Sequence, residues 1–204
     1  MVADDGGSVR RHGLEGSAAA LPAPSEFSVA GDRMTISPGT FVQANRLLHA
    51  ALHRAVLAAA GRGARALELH AGAGFFSLVL ARQFEALEVV ESSSGAVADL
   101  RVNLARAGLS HVQVSEGHVD RMLESRARDG VDLVLLDPPR AGLDAATLSL
   151  AEGFDRIIYI SCNPLTQVEN LRSLCKTHRV ESFAMFDQFP YTDHMECGVV
   201  LRRR

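Results

Sequence analysis

The chain has 204 residues, of which 47% are hydrophobic and 22% are charged, which is typical of a globular protein with a packed core. This composition excludes a disordered chain, a collagen-like chain and a disulfide scaffold. With 21 basic and 24 acidic residues the net charge is −3, so no overall positive excess indicates nucleic-acid binding. The three cysteines form no C-x-x-C pair, which predicts no metal site and favours a reducing, cytoplasmic location. No apolar run approaches the ~20 residues that a membrane span needs.

The beginning of the chain differs in texture from the rest. Residues 1–25 are rich in Gly, Ala and Ser and contain no continuous apolar run, which predicts a flexible leader. We expect residues 26–204 to form one domain. Alternating apolar residues on both sides of residues 30–32 predict a β-hairpin. Apolar residues at three- and four-residue steps over 43–60 then predict an amphipathic helix, which two glycines end.

From residue 66 onward, short apolar runs alternate with helical patterns. The predicted strands are 66–69, 87–90, 112–114, 131–136 and 157–160, and the predicted helices are 76–83, 94–107, 119–128, 144–152 and 164–175. Strict alternation predicts right-handed βαβ units, and therefore an α/β fold with a mostly parallel twisted sheet and helices on both faces. Two last strands, 180–186 and 197–201, are expected to close this sheet as an antiparallel hairpin.

A loop with two glycines follows the first predicted strand of this sheet. Gly72 and Gly74 allow a tight turn and a close approach to a ligand, at the edge where open parallel sheets bind ligands. The third glycine of the dinucleotide fingerprint is missing, which disfavours a pyrophosphate and favours a nucleoside cofactor without phosphates. Glu91 ends the next predicted strand and is expected to accept hydrogen bonds from ribose hydroxyls. Capping of the following helix is the alternative role for Glu91.

The predicted strand 131–136 runs directly into the sequence Asp-Pro-Pro-Arg at 137–140. Because proline has no backbone donor, the strand must end here. A stiff Pro-Pro segment suits the wall of a pocket for a planar base, and Asp137 is expected to face the cofactor. A plain strand-ending turn is the alternative.

A candidate nucleophile and two candidate bases follow. Cys162 lies between the strand predicted at 157–160 and the helix predicted at 164–175, where the positive end of the helix would stabilise a thiolate. A structural cysteine is the alternative. Glu196 and His194 lie near the polar loop between the last two strands, and their spacing does not decide which of them is a general base.

Together these motifs resemble the catalytic domain of the S-adenosylmethionine-dependent RNA uracil-5-methyltransferases. The resemblance extends from about Ser37 to Arg204. It rests on the sequence Ser-Pro-Gly-Thr-Phe-Val-Gln-Ala-Asn at 37–45, the glycine loop, Glu91, Asp-Pro-Pro-Arg-Ala-Gly-Leu at 137–143, Ser-Cys-Asn-Pro at 161–164, and Phe-Pro at 189–190 followed by Thr192, His194 and Glu196. It implies a Rossmann-like class I methyltransferase fold and S-adenosyl-L-methionine as the cofactor.

The resemblance also implies a role for each matching residue. Cys162 is expected to be the nucleophile, and Glu196 the base, of a reaction that methylates carbon 5 of uridine in tRNA or rRNA. Six residues are expected to hold the cofactor: Gln43, His70, Gly72, Phe75, Glu91 and Asp137. Three residues are expected to contact the RNA substrate, which must flip its base into the pocket: Pro139, Arg140 and Phe189.

The resemblance leaves RNA binding and two other functions open. Family members usually carry an N-terminal RNA-binding β-barrel, which residues 1–25 are too short to form, so an RNA-binding partner protein is expected. Phosphate contacts are expected from local pairs and runs of arginine: Arg10 with Arg11, Arg101 with Arg106, Arg126 with Arg128, and 202–204. The alternative functions are a catalytically weak cofactor-binding module that needs an RNA-binding partner, and a methyltransferase acting on a non-RNA substrate.

Overall fold

The computed structural model describes residues 2–3, 9–10, 23–29, 31–119, 130–192 and 194–204. The strands are β1 (Val2–Ala3), β2 (Val9–Arg10), β3 (Ser25–Val29), β4 (Asp32–Ile36), β5 (Gly63–Leu69), β6 (Phe84–Glu91), β7 (Val112–Glu116), β8 (Leu133–Leu136), β9 (Arg156–Ser161), β10 (His178–Phe186) and β11 (Glu196–Arg203). The α-helices are α1 (His49–Ala60), α2 (Ser77–Leu80), α3 (Ser94–Arg106), α4 (Ala145–Ala151) and α5 (Pro164–Leu174), and a 3-10 turn covers Arg46–Leu48. None of the described helices has the length and apolarity that crossing a bilayer takes.

A seven-stranded sheet in the order β10-β11-β9-β8-β5-β6-β7 forms the centre of the molecule. The five strands β9, β8, β5, β6 and β7 are parallel to one another, whereas β11 is antiparallel to both β9 and β10. The predicted α/β fold and the C-terminal antiparallel hairpin are therefore confirmed. The strand order reverses at β5, which lies between β6 and β8, and such a switch point is where open α/β sheets form their ligand cleft.

Both faces of the sheet are buried because side chains alternate along its central strands. In β8, Leu133 and Leu135 pack in the core under α1, α2, α3 and the β3–β4 hairpin. Val134 and Leu136 pack in the opposite core, with α4 and α5. This burial on both faces explains why β8 reads as an uninterrupted apolar run.

Three predicted boundaries differ from the structure for local reasons. The helix predicted at 43–60 begins only at His49, because the Asn45 side chain accepts from the backbone N–H of Leu47 and caps a 3-10 turn first. The helix predicted at 76–83 shrinks to α2, whose last turn tightens into bonds from residue 82 to 79 and from 83 to 80 before β6 begins. The strand predicted at 131–136 starts two residues later.

Two predictions concern residues that the structure describes only in part. The helix predicted at 119–128 lies outside the described residues except for its first position. Of the predicted leader, residues 1, 4–8 and 11–22 lie outside them, and β1 pairs antiparallel with β2. The leader and the single domain over 26–204 stay predictions.

Candidate active site

Five chain segments meet at the carboxyl edge of the sheet. The strands β5, β6, β8 and β9 all end here, and the antiparallel β11 begins here. Asp137 directly follows β8, and its backbone N–H donates to the carbonyl of Leu69 at the end of β5, 3.3 Å away. Cys162 follows β9. Since Cys197 pairs with Ser161 in the β9–β11 ladder, continuation of the register sets Glu196 opposite Cys162.

The glycine loop after β5 has a left-handed backbone at several positions. His70, Gly72 and Gly74 have φ angles of 62°, 54° and 91°. A Cβ on Gly74 would lie 2.5 Å from the Cδ1 atom of Leu100, so this glycine allows the loop to pack on α3. A Cβ on Gly72 would meet nothing within 4 Å, so the loop faces open space there. Burial lowers the pKa of His70 and favours its neutral imidazole at pH 7.

Glu91 joins the glycine loop to the start of α3. Its Oε2 accepts from the Gly72 N–H at 2.8 Å, and its Oε1 accepts from the Ser92 and Ser93 N–H groups at 2.8 and 2.7 Å. The N-cap of α3 is Ser93, whose hydroxyl accepts from the Ala96 N–H, so Glu91 holds the residues before the helix and does not cap it. Its Oε2 accepts a single bond, so a second lone pair of this oxygen can still accept from a hydroxyl group.

A cluster of buried carboxyl groups lies behind this edge. Glu68 and Glu196 are each 1% exposed, and burial raises the pKa of Glu68 to about 8 and that of Glu196 to about 7. Burial, together with the nearby Glu196 and Glu68 carboxylates, raises the pKa of Asp137 well above its ordinary value. Within the described part of the chain, neither carboxyl oxygen of Glu196 has a hydrogen-bond partner. A bound cation would relieve this crowding of like charges.

Gln43 lies on the extended segment before the 3-10 turn and points into the same cluster. Its side chain is buried, its Nε2 lies 3.4 Å from Asp137 Oδ2, and its Oε1 has no hydrogen-bond partner among the described residues. The carbonyl of Gln43 accepts from His49 Nε2 at 2.7 Å, and the N–H of Asn45 donates to Gln188 Oε1 at 2.8 Å. These bonds hold the Gln43 segment between α1 and the loop that precedes β11.

Polar residues of α3 fix the hairpin and the glycine loop on the other side. The Asn103 side chain, which is fully buried, accepts from the Thr35 N–H at 2.8 Å and donates to the carbonyl of Ala73 at 2.9 Å. The Asp99 carboxylate accepts from the N–H and hydroxyl of Ser37 at 2.8 and 2.7 Å. The same face of α3 therefore holds both the end of the hairpin and the glycine loop.

Phe75 occupies a different place from the other predicted cofactor residues. Its ring is buried between two histidines of α1, with ring centroids 4.9 Å from His49 and 4.3 Å from His53. Its carbonyl accepts from His53 Nε2 at 2.7 Å. Any contact between Phe75 and a cofactor would therefore involve its backbone.

Cys162 precedes α5, whose start is built as the sequence indicates. Asn163 is the N-cap and accepts from the Leu165 N–H at 3.1 Å, and Pro164 is the first helical residue. The expectation of a stabilised thiolate is wrong for the site as it stands: burial, followed by the Glu196 carboxylate, raises the pKa of Cys162, while Arg140 opposes the rise. Removal of the thiol from water, with the negative charge of Glu196, outweighs the opposing effect of Arg140.

Of the three predicted substrate residues, Arg140 interacts with the Cys162 side chain, Pro139 precedes Arg140, and Phe189 lies near the Arg140 guanidinium. Pro139 and Arg140 are exposed, and the carbonyl of Arg140 accepts from Asn163 Nδ2 at 3.0 Å, which pins this loop to the start of α5. The Arg140 guanidinium lies 6.0 Å from the centroid of the Phe189 ring. The centroid of the His194 ring lies 6.0 Å from that of the Phe189 ring, whereas Glu196 is buried opposite Cys162.

The sequence analysis missed two groups of supporting residues. Asn170 Oδ1 accepts from the Leu143 N–H at 3.0 Å and from the Tyr159 hydroxyl at 2.8 Å, so it ties the loop after β8 to the sheet. Glu68 had a visible signal, since it is a charged residue within a strand predicted to be buried. Asn170 had none, because its partners are distant in sequence.

The arginine clusters predicted to contact phosphates mostly lie far from the carboxyl edge of the sheet or pair with acidic side chains. The run 202–204 lies at the far end of β11, about 20 Å along the strand from Glu196, and Arg202 pairs with Glu181. Arg101 and Arg106 lie on α3 and pair with acidic side chains. The other two clusters include residues outside the described part of the chain. The described residues contain no group of three His, Cys, Asp or Glu side chains that could hold a metal ion.

Comparison with known proteins places the chain among methyltransferases. The profile of the tRNA (uracil-5-)-methyltransferase family matches residues 25–204. A tRNA/tmRNA (uracil-C(5))-methyltransferase from Shewanella sp. (strain W3-18-1) is 45% identical over 152 residues, which are 68% of this chain and 42% of that protein. The chain thus spans less than half of the length of this curated relative.

Solved structures agree with this placement. The Pyrococcus abyssi tRNA (uracil-54, C5)-methyltransferase, solved in complex with S-adenosyl-L-homocysteine, superimposes with a TM-score of 0.76 at 26% identity over 88% of this chain and 44% of that one. Trm5b from the same organism shares the fold alone, with a TM-score of 0.69 at 17% identity over 88% and 56% of the two chains. With the family profile covering residues 25–204 and these motifs at one edge of the sheet, the chain belongs to the tRNA (uracil-5-)-methyltransferase family.

Proposed function

We propose that this chain catalyses the transfer of a methyl group to carbon 5 of a uridine in tRNA, through a covalent adduct with Cys162. The observation that carries the proposal is the placement of buried Glu196 opposite Cys162 at the edge where the glycine loop and Asp137 also lie. A nucleophile and a base on neighbouring strands can act on one planar base that enters between them.

The residues at this edge fit S-adenosyl-L-methionine, which carries positive charge on its sulfur and its amino group. Glu91 Oε2 has a lone pair for a ribose hydroxyl, and Gln43 Oε1 is a buried acceptor without a partner among the described residues. Burial and mutual proximity raise the pKa values of Asp137 and Glu68, and a cation bound beside these carboxyl groups would favour their ionised form. When bound, this cofactor supplies an electrophilic methyl group.

The chain's own side chains would carry the proton and covalent steps. The Cys162 thiolate forms a bond to carbon 6 of the uracil ring, and the electron pair moves to make carbon 5 nucleophilic. After methylation, Glu196 takes the proton from carbon 5, and the bond between Cys162 Sγ and carbon 6 breaks as the double bond re-forms. A pKa of about 7 leaves Glu196 partly ionised at neutral pH, as this step requires.

The geometry favours Glu196 over His194 as the base. Glu196 is buried next to the reacting thiol, whereas His194 packs its ring against Phe189 at the open side. We assign the His194 and Phe189 rings, with Pro139 and Arg140, to the entry path of the RNA. The same proposal includes tRNA as the substrate and an additional RNA-binding partner. It also includes a cytoplasmic location, which the three free cysteines favour.

Transfer of a labelled methyl group to tRNA, followed by mass spectrometry of the nucleosides, tests the proposal. Wild-type protein should form 5-methyluridine, Cys162→Ala should abolish the transfer while cofactor binding persists, and Cys175→Ala should serve as the matched control. Equal activity of Cys162→Ala would exclude the covalent step. Cofactor binding without any methylated uridine would instead support a catalytically weak module or a different substrate.

A further inference from the structure

Residues 189–192 form a tight turn with a tyrosine at its third position, where that residue type is unusual. The backbone N–H of Thr192 donates to the Phe189 carbonyl at 3.2 Å, and its hydroxyl donates to the same oxygen at 2.7 Å. Pro190 in the second position and a φ of 65° at Tyr191 in the third are the pattern of a type II turn. Glycine or asparagine normally takes that third position, because a bulky side chain strains the backbone there.

Tyr191 is also fully exposed to solvent. The strained backbone lowers the stability of the fold, and the exposed ring contributes nothing to the buried core. Neither feature is therefore explained by folding. A bulky ring held outward on a strained turn indicates selection for a contact outside the chain.

The turn at residues 189–192 is held in place by hydrogen bonds and lies beside the active site. Phe189, two residues before Tyr191, borders the entry path with Arg140, and Glu196 follows five residues later. Gln188 is buried, and its side-chain oxygen accepts from the Asn45 N–H of the segment that carries Gln43. These bonds fix the backbone of the turn beside the site, and the fully exposed Tyr191 side chain projects from it into solvent.

A nucleobase is the ligand that fits a single outward ring at this position. A uridine that reaches half-buried Cys162 must leave its stack, and this exposes the face of the adjacent base. An aromatic ring replaces the lost stacking without regard to sequence, and a nearby guanidinium suits the RNA backbone.

We propose that Tyr191 is a stacking platform for the nucleobase adjacent to the target uridine. This inference rests on the proposed function, because it requires RNA at the site. It makes Tyr191 an RNA-binding residue whose removal relieves strain in the protein while weakening the complex.

The test compares Tyr191→Gly, which removes both ring and strain, with Tyr191→Phe, which keeps both. We expect Tyr191→Gly to unfold at the same or a higher temperature than wild type, yet to bind a labelled RNA hairpin with unpaired loop uridines about tenfold more weakly. Its KM for this RNA should rise while kcat changes little. Tyr191→Phe should match wild type, as should Phe183→Ala, which removes an exposed ring from the edge strand β10.

Two results would overturn the inference. One is wild-type affinity of Tyr191→Gly for the hairpin, and the other is a loss of affinity that accompanies a loss of thermal stability and recurs in Tyr191→Asn. Methylation of the hairpin by wild type is measured in parallel. A wild type that binds RNA through Tyr191 but methylates no uridine would refute the proposed function and leave the stacking role supported.

Discussion

The buried carboxyl of Glu68 gives the fold a pH dependence that one substitution would remove. In the folded chain its pKa is about 8, against an ordinary value of 4.5, because burial disfavours the charged form. Between these two values the folded state holds a proton that the unfolded state releases. The contribution of Glu68 to stability is therefore complete below pH 4.5 and is lost as the pH rises toward 8.

The size of this effect follows from the difference between the two pKa values. Each unit corresponds to about 1.4 kcal/mol, so the free energy of unfolding should fall by about 3.5 kcal/mol between pH 5 and pH 8 through Glu68 alone. Glutamine has nearly the same shape and no charge to titrate. The stability of Glu68→Gln relative to wild type should therefore increase by this amount across the same interval.

Urea unfolding followed by circular dichroism at pH 5, 6, 7 and 8 measures this difference. Because the two proteins are compared at each pH, the titration of groups that do not interact with Glu68 cancels. Glu85→Gln, at an exposed position of β6, is the control and should show no such trend. A wild-type-minus-variant difference that stays constant from pH 5 to 8 would refute the assignment of Glu68 as a buried neutral acid.

Three further substitutions test other parts of the site and its support. Glu196→Gln should accumulate a covalent protein–RNA adduct on denaturing gels. In wild type the decay of this adduct should become faster as the pH rises to about 7 and then level off. An adduct that decays as fast in the variant would refute the role of Glu196 as the base. Asn170→Ala removes the acceptor of the Tyr159 hydroxyl and of the Leu143 N–H and should lower the free energy of unfolding by about 2 kcal/mol in urea titrations, against less than about 1 kcal/mol for Ser173→Ala on the same helix. Burial lowers the pKa of His53 to about 4, so the unfolded state binds the proton first as the pH falls below 6.5; relative to His53→Leu in the same titration, wild type should therefore lose about 3 kcal/mol between pH 7 and pH 4, because the Glu68 contribution is common to both proteins.

The alternation of apolar runs and helical patterns was sufficient to predict the parallel part of the sheet. Central strands such as β8 are buried on both faces, so their sequences carry a strong signal. The place of β11 between β9 and β10 was beyond the sequence, because strand pairing depends on contacts between residues far apart in the chain. The shortening of α2 likewise depends on where β6 must begin.

The candidate site was predicted where motifs are local and missed where bonds are distant. Cys162 and Asp137 each end a strand, which the sequence displays directly. The hydrogen bond from His53 to the carbonyl of Phe75 spans 22 residues and follows no periodic pattern. The direction of the Cys162 pKa was also wrong, since it depends on desolvation and on the distances of Glu196 and Arg140 from the thiol, which only the folded geometry determines.

The antiparallel pairing of β11 with β9 sets how this site can change in evolution. Side chains alternate along a strand, so one residue inserted inside β11 would turn Glu196 away and set Cys197 opposite Cys162, and one residue deleted there would set Met195 opposite it. A residue gained or lost in the loop before β11 leaves that pairing intact. The length of the loop can therefore vary without moving Glu196, whereas a change of length within β11 removes Glu196 from the site.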